Sequence, residues 1–124
     1  MKNLVVLFMF LSSAVLCQQR FAELGNFKLE NGEEIINCKI GYRTFGKMNE
    51  DKSNVILYPT WFGGKSEHLA NLIGEGKPLD SLRHFIIAVD ALGNGISSSP
   101  SNSSEQPLLS FPLFTIKDMV NSQM

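Results

Sequence analysis

The chain has 124 residues, of which 44% are hydrophobic and 19% charged, and its formal net charge at pH 7 is −1. This length suffices for one small domain but not for two. Nucleic-acid binding relies on clustered Lys and Arg. The sequence has no basic stripe, so its composition argues against a nucleic-acid partner.

The N-terminus has the order of a secretory signal peptide. Lys2 precedes an apolar run, and small residues follow before Cys17. The run is shorter than the roughly 20 residues that span a bilayer, so we expect no stable membrane anchor. Cleavage of residues 1–17 as the signal would leave residues 18–124 as a secreted or periplasmic chain. Two alternatives stay open, namely a lipoprotein acylated on Cys17 and burial of the run as a core element.

The exported part is predicted to begin with an antiparallel ribbon. Residues 27–30 alternate apolar and polar, and Asn31-Gly32 follows. This dipeptide favours a type I′ turn because both residues tolerate positive φ. The partner strand is expected within residues 34–45, which are rich in β-branched and aromatic side chains. Cys38 within it is expected to be a small buried hydrophobe and not a nucleophile.

A strand, a helix and a second strand are predicted next. The apolar runs 55–58 and 85–89 are typical of strands buried on both faces. Between them, Ser66 is a candidate N-cap and Gly74 a candidate stop for a helix. Two strands joined in this way by a helix predict a parallel βαβ unit with a right-handed crossover.

The remaining segment combines a polar stretch with the start of a helix. Asp90 is expected to organise the turn after the second strand, and the serine-rich residues 97–110 to form a surface excursion without a core. Thr115 to Asp118 resembles a capping box. Because the chain ends at Met124, about two turns into that helix, we interpret the domain as incomplete.

An ordered set of short motifs resembles the opening of the homoserine O-acetyltransferase family. The motifs span most of residues 27–123 and are Gly32, residues 40–46, Asn49 with residues 51–54, and residues 73–80, 85–95 and 111–120. The resemblance implies an α/β protein of the α/β-hydrolase fold, truncated to an N-terminal antiparallel ribbon plus the first βαβ unit. It also implies transfer of an acyl group from a small-molecule donor, acyl-CoA as co-substrate, to an alcohol acceptor, without a resident cofactor.

The resemblance places the family's oxyanion loop, usually His-Ala-Leu-Thr-Gly, on residues 60–64, which read Thr-Trp-Phe-Gly-Gly. In this architecture one oxyanion donor is a backbone N–H in the loop after the third strand. By alignment that donor is Phe62, with Trp61 as the alternative. Because two aromatics replace smaller residues, they either close the homoserine or acyl pocket or reshape it for another alcohol.

The nucleophile of the family has no counterpart in the sequence. The family uses a serine in a glycine-flanked elbow, followed later by an aspartate and a histidine. Ser97 comes closest, but it lacks the second glycine and follows the wrong strand. His68 and His84 are expected on a helix surface and at a strand entry, and their spacing fits no metal site. We therefore expect the triad to lie outside this chain.

Three functions remain open on this basis. The first is the N-terminal part of an acyltransferase related to homoserine O-acetyltransferase. The second is a serine esterase of the same fold, because transfer and hydrolysis differ mainly in whether an alcohol or water accepts the acyl group. The third is a secreted, non-catalytic binding protein.

Overall fold

The computed structural model describes residues 18–124, so the predictions for residues 1–17 lie outside the described part. Its elements are β1 (Arg20–Lys28), β2 (Glu34–Phe45), β3 (Val55–Pro59), α1 (Ser66–Leu69) with a 3-10 turn (Ala70–Leu72), β4 (Phe85–Val89), a second 3-10 turn (Leu108–Ser110) and α2 (Ile116–Asn121). No helix within the described range is long and apolar enough to cross a membrane.

The four strands form one sheet in the order β1-β2-β4-β3. β2 runs antiparallel to both of its neighbours, with Tyr42 opposite Val89 of β4. β3 and β4 are parallel, with Ile56 opposite Ile86, and α1 connects them. The predicted antiparallel ribbon and parallel βαβ unit are therefore confirmed.

The turn between β1 and β2 is longer than the predicted type I′ turn. Residues 29–33 join the strands, and within them only Gly32 has a positive φ, of 88°. The Asn31 Oδ1 atom instead accepts the N–H two residues later, at 2.9 Å. Leu29 is 3% exposed, and its packing in the core accounts for the wider loop.

The core lies on both faces of β4. Ile86 and Ala88 pack on one face with Leu69 and Ile73. The opposite face carries Val89, which joins a larger cluster that includes Ile35, Cys38, Ile40, Leu92 and Phe111. This alternation follows the two-residue period of a strand. The prediction that β4 is buried on both faces is confirmed.

Cys38 has the role that the sequence predicts. It is completely buried in the core cluster of β2, and it is a free cysteine. Burial raises the pKa of the Cys38 thiol, which keeps the thiol protonated and unreactive. Cys38 is therefore a packing residue.

β3 is not buried on both faces, so that prediction was wrong. Ile56 and Tyr58 pack towards the α1 side, whereas Leu57 on the other face is 47% exposed. Among residues 18–124, β3 pairs only with β4 and forms an edge of the sheet. An apolar run signals a central strand only when both neighbours and both covering layers are present.

Helix α1 is shorter than predicted and begins differently. Its N-cap is Lys65, not Ser66, and the α-helix ends at Leu69. A 3-10 turn continues to Leu72 with Ile73 as its C-cap, so Gly74 directly follows the helical segment, as the sequence predicts. Ser66 is completely buried because its side chain bonds to the end of β4 and does not cap the helix.

Helix α2 begins with the predicted capping box. The Asp118 N–H donates to Thr115 Oγ1 at 3.2 Å, and Asp118 Oδ2 accepts the Thr115 N–H at 2.8 Å. Asp118 Oδ1 also accepts the N–H of Glu30, in the ribbon turn, at 2.9 Å. Burial raises the pKa of Asp118, but these hydrogen bonds outweigh it and lower the pKa below its usual value. The carboxylate thus joins α2 to the ribbon.

The serine-rich stretch is only partly the predicted surface excursion. Residues 100–110 are mostly exposed, but Ser97, Ser98 and Ser99 are buried. The Ser98 hydroxyl accepts the N–H of Lys39 in β2 at 2.9 Å, and the Ser98 N–H donates to the Lys39 carbonyl at 2.9 Å. The expectation of a purely surface excursion was wrong because the hydroxyls of Ser97 and Ser98 satisfy buried backbone groups of β2.

Candidate oxyanion loop

The loop that joins β3 to α1, residues 60–65, is held at its start by Thr60. The Thr60 N–H donates to the carbonyl of Val89 at 2.9 Å, and Thr60 Oγ1 accepts the N–H of Ala91 at 3.0 Å. The side chain is only 7% exposed. Thr60, which stands where the resembling family has histidine, therefore fastens the end of β3 to the end of β4.

Residues Trp61 to Gly64 form a tight turn, closed by a hydrogen bond from the Gly64 N–H to the Trp61 carbonyl at 2.9 Å. Gly63 has a φ of 80°, a conformation that favours glycine. A Cβ atom on Gly64 would lie 2.6 Å from the Trp61 ring. The ring also stacks on His68 of α1, with centroids 6.0 Å apart. The two glycines thus let the Trp61 ring fold back over the loop.

The structure places both predicted donors at the exposed tip of this turn. The Phe62 side chain is 78% exposed and that of Trp61 57%. Neither backbone N–H donates a hydrogen bond to any acceptor within residues 18–124. An oxyanion donor must be held in place and have a free N–H. Both N–H groups are free within the described residues, and the donor role of Phe62, or of Trp61, stays a prediction.

An open groove of about 630 Å³ adjoins Phe62. Its walls come from β3, the segment after β4 and α2, and include Leu57, Pro59, Ala91, Ile116, Met119 and Val120. The polar side chains that line it are Thr60 and Gln123, and no lining side chain is charged. The groove is therefore suited to an uncharged, apolar group.

Asp90 follows β4 and is completely buried. Its Oδ1 accepts the Ser66 N–H at 2.8 Å and the Asn94 amide at 3.1 Å. Its Oδ2 accepts the Ser66 hydroxyl at 2.7 Å and the Gln19 amide at 2.9 Å. Asp90 organises the following turn, as the sequence predicts, and also anchors the start of α1. A carboxylate so fully bonded to neutral donors is structural and not a free catalytic acid.

Ser97 lacks the surroundings of a nucleophile. It is completely buried, and its hydroxyl donates to the Asp90 carbonyl at 2.6 Å and accepts the Gly41 N–H at 2.9 Å. A nucleophilic serine instead needs a base within hydrogen-bond reach. Ser97 has no histidine partner among the hydrogen bonds of the described residues. Ser97 is a structural residue.

The two histidines lie where the sequence predicts. His68 is on the exposed side of α1, and His84 precedes β4, with Nδ1 3.3 Å from the Asp80 carbonyl. In the described range no three His, Cys, Asp or Glu side chains are grouped to hold a metal ion.

Sequence reasoning missed Asn94. Its Nδ2 donates to the Gly64 carbonyl at 2.8 Å as well as to Asp90, and its Oδ1 accepts the N–H groups of Ile96 and Ser97. The Gly-Asn-Gly string around it signals a turn. Gly64 is 30 residues away in the sequence, so no local pattern indicates the contact.

Comparison with known proteins identifies several relatives. Over 105 residues the chain is 40% identical to a probable esterase of Corynebacterium glutamicum, covering 82% of this chain and 30% of the relative. It is 43% identical over 81 residues to an ethyl acetate hydrolase of Pseudomonas veronii, covering 64% and 23%. In an alignment 124 residues long, it is 37% identical to a homoserine O-acetyltransferase of Caulobacter vibrioides. The alignment covers 84% of this chain and 32% of the relative. No family model matches the sequence. The chain thus spans less than a third of the length of each relative.

Solved structures give the same result. An acetylester hydrolase from Corynebacterium glutamicum matches with a TM-score of 0.80 at 38% identity, over 86% of this chain and 31% of that one. A homoserine O-acetyltransferase from Bacillus anthracis matches with a TM-score of 0.67 at 28% identity, over 86% and 35%. The chain belongs to the homoserine O-acetyltransferase and acetyl esterase family of the α/β-hydrolase fold, and it corresponds to the N-terminal part of that fold.

Proposed function

We propose that this chain supplies the oxyanion loop and one wall of the substrate groove of an acetyl esterase. The observation that carries the proposal is the groove beside Phe62, which no charged side chain lines. Homoserine has an ammonium and a carboxylate group, and burying these against apolar side chains is unfavourable. An acetate ester of a simple alcohol has no charge and suits such a wall.

The chemistry gives the loop one task. In ester hydrolysis the acyl carbon becomes tetrahedral, the bond to the alcohol oxygen breaks, and water supplies the oxygen and protons of the products. In the tetrahedral intermediate, the former carbonyl oxygen carries a negative charge. The free N–H of Phe62, or of Trp61, would donate to it, and one such donor is worth about 100- to 1000-fold in rate.

We assign the nucleophile, the acid and the base to the part of the fold that this chain does not span. Ser97 and Asp90 are both committed to structural hydrogen bonds. The relatives named above are more than three times as long as the aligned part. We therefore expect no turnover from this chain by itself.

Acetyl transfer to an alcohol is the second candidate. The 37% identity to a homoserine O-acetyltransferase over the same segments supports it. In that case acyl-CoA is the donor and the alcohol takes the place of water. The two candidates share the oxyanion loop, so only the acceptor separates them.

A chimera tests the proposal. Residues 18–124 are joined to the remaining part of the Corynebacterium glutamicum acetylester hydrolase, and hydrolysis of ethyl acetate is compared with acetyl transfer from acetyl-CoA to homoserine. We expect hydrolysis that does not depend on an added alcohol. A matched chimera with His-Ala-Leu-Thr-Gly at residues 60–64 controls for the loop. A folded chimera that consumes acetyl-CoA only when homoserine is present would instead support the transferase.

A further inference from the structure

The loop of residues 60–65 is attached to the segment after β4 at three points. Thr60 bonds to Val89 and Ala91 at one end, and Ser66, just past the other end, bonds twice to Asp90. The third attachment is in the middle, where the Asn94 amide donates to the Gly64 carbonyl at 2.8 Å. Of these three attachments, the Asn94 contact is the one that lies within the turn of residues 61–64.

This contact controls the orientation of the Gly64 peptide groups. The N–H of Gly64 closes the turn onto Trp61, and its carbonyl is held by Asn94. Phe62 lies inside the turn so closed. The Trp61 carbonyl and the Phe62 N–H belong to the same planar peptide group, so the bond that closes the turn also restrains the direction of the Phe62 N–H.

Asn94 is itself held rigidly. Its Oδ1 accepts the N–H groups of Ile96 and Ser97 at 2.9 and 3.1 Å, and its Nδ2 also donates to Asp90 at 3.1 Å. Asp90 is completely buried, so this side of the network is shielded from water. These bonds fix which way the amide faces, with its nitrogen towards Gly64.

We propose that Asn94 is a positioning residue that holds the oxyanion loop in its donor conformation through the Gly64 carbonyl. The proposal rests on the proposed function for the claim that the Phe62 N–H is an oxyanion donor. The hydrogen bonds by which Asn94 holds the loop do not depend on it. Fixed donors accelerate acyl chemistry because they need no reorganisation as charge develops. A misplacement of about 1 Å can cost about 100-fold in rate.

The test uses Asn94→Asp, which keeps the acceptor for Ile96 and Ser97 but removes the donor to Gly64 and to Asp90. Asn94→Ser removes the same donor without adding charge. If Asn94→Asp does not fold, Asn94→Ser tests the positioning role in its place. The control is Asn102→Asp. The Asn102 amide donates to the carbonyls of Gly95 and Ser97 and has no bond to the oxyanion loop.

The first readout needs no activity. Trp61 is the only tryptophan of the chain, and its ring rests on Gly64, so its fluorescence reports on this loop. In the chain itself, with folding checked by circular dichroism, we expect the Asn94 variants to raise acrylamide quenching of Trp61 about twofold. The Asn102 variant should leave the quenching unchanged. Equal quenching in all variants overturns the proposal.

The second readout is kinetic and uses the chimera. We expect the Asn94 variants to lower kcat about 100-fold with KM unchanged, and the Asn102 variant to keep kcat per folded molecule. If the chimera is active and the Asn94 and Asn102 variants have the same kcat, the positioning role of Asn94 is wrong and the esterase proposal is unaffected. Changed Trp61 quenching in an inactive but folded chimera supports the positioning role and removes the esterase proposal.

Discussion

Replacing Asp118 by alanine should detach helix α2 from the ribbon. The carboxylate is 1% exposed and accepts hydrogen bonds from the Thr115 N–H, the Thr115 hydroxyl and the Glu30 N–H, at 2.8, 2.9 and 2.9 Å. Alanine offers no acceptor, so the two backbone donors lose their partner. The neighbouring ion pair between Lys117 and Glu30 is at the surface and cannot compensate.

The magnitude follows from these contacts. Loss of a capping side chain costs about 1 kcal/mol, and a hydrogen bond to a charged group contributes about 1.5–3 kcal/mol. Since these contributions overlap at one carboxylate, we expect the free energy of unfolding to fall by about 2–4 kcal/mol. In a domain of this size that corresponds to roughly 10–25 °C in Tm.

The assay is urea denaturation of the chain at pH 7 and pH 3, with Asp51→Ala as the matched control. Asp51 also accepts bonds from a following serine, Ser53, but it is exposed, so its loss should cost less than about 0.5 kcal/mol.

The pH dependence of Asp118 has a definite sign. Hydrogen bonds lower its pKa in the folded state, so its contribution is complete above the unfolded value of about 3.9 and is lost as pH falls through the lowered pKa. The difference in the free energy of unfolding between Asp118→Ala and the unaltered chain should therefore be smaller at pH 3 than at pH 7. A gap of equal size at both pH values, or an equal loss in the Asp51 variant, would refute the reasoning.

Three further predictions concern other regions. Gly64→Ala should displace the Trp61 ring, since the added Cβ would lie 2.6 Å from it, and a red shift of Trp61 emission measures this. Leu57→Lys, on the exposed face of the edge strand, should reduce aggregation measured by light scattering at little cost in stability, because the side chain is already 47% exposed. If residues 1–17 are a cleaved signal peptide, as the sequence predicts, N-terminal sequencing should begin at Gln18, and an intact N-terminus or a start beyond Gln19, which bonds to Asp90, would contradict that prediction.

Local signals account for the predictions that the structure confirms. The capping box at Thr115 involves residues three apart, and the alternation of β4 involves adjacent ones. The order of strand, helix and strand predicts a parallel pair because parallel strands need a long crossover connection, usually a helix. These features need no knowledge of distant residues.

Two of the wrong predictions depended on distant partners. Ser66 looked like a helix cap but bonds to Asp90, 24 residues away. Ser97 looked like loop surface but is buried against β2 through a bond to Gly41, 56 residues away. In each case a polar side chain found a buried backbone or carboxylate partner that the sequence order conceals.

By itself, the sequence determined the family resemblance, the order of the elements and the position of the predicted oxyanion loop, because hydrophobic periodicity and short motifs are local properties. Only the tertiary structure decided how that loop is held. The bond from Asn94 to Gly64 spans 30 residues, and that from Glu30 to Asp118 spans 88. The first contact forms because the parallel strands β3 and β4 end at one edge of the sheet, and the second because α2 lies beside the ribbon turn, where a buried carboxylate accepts a backbone N–H.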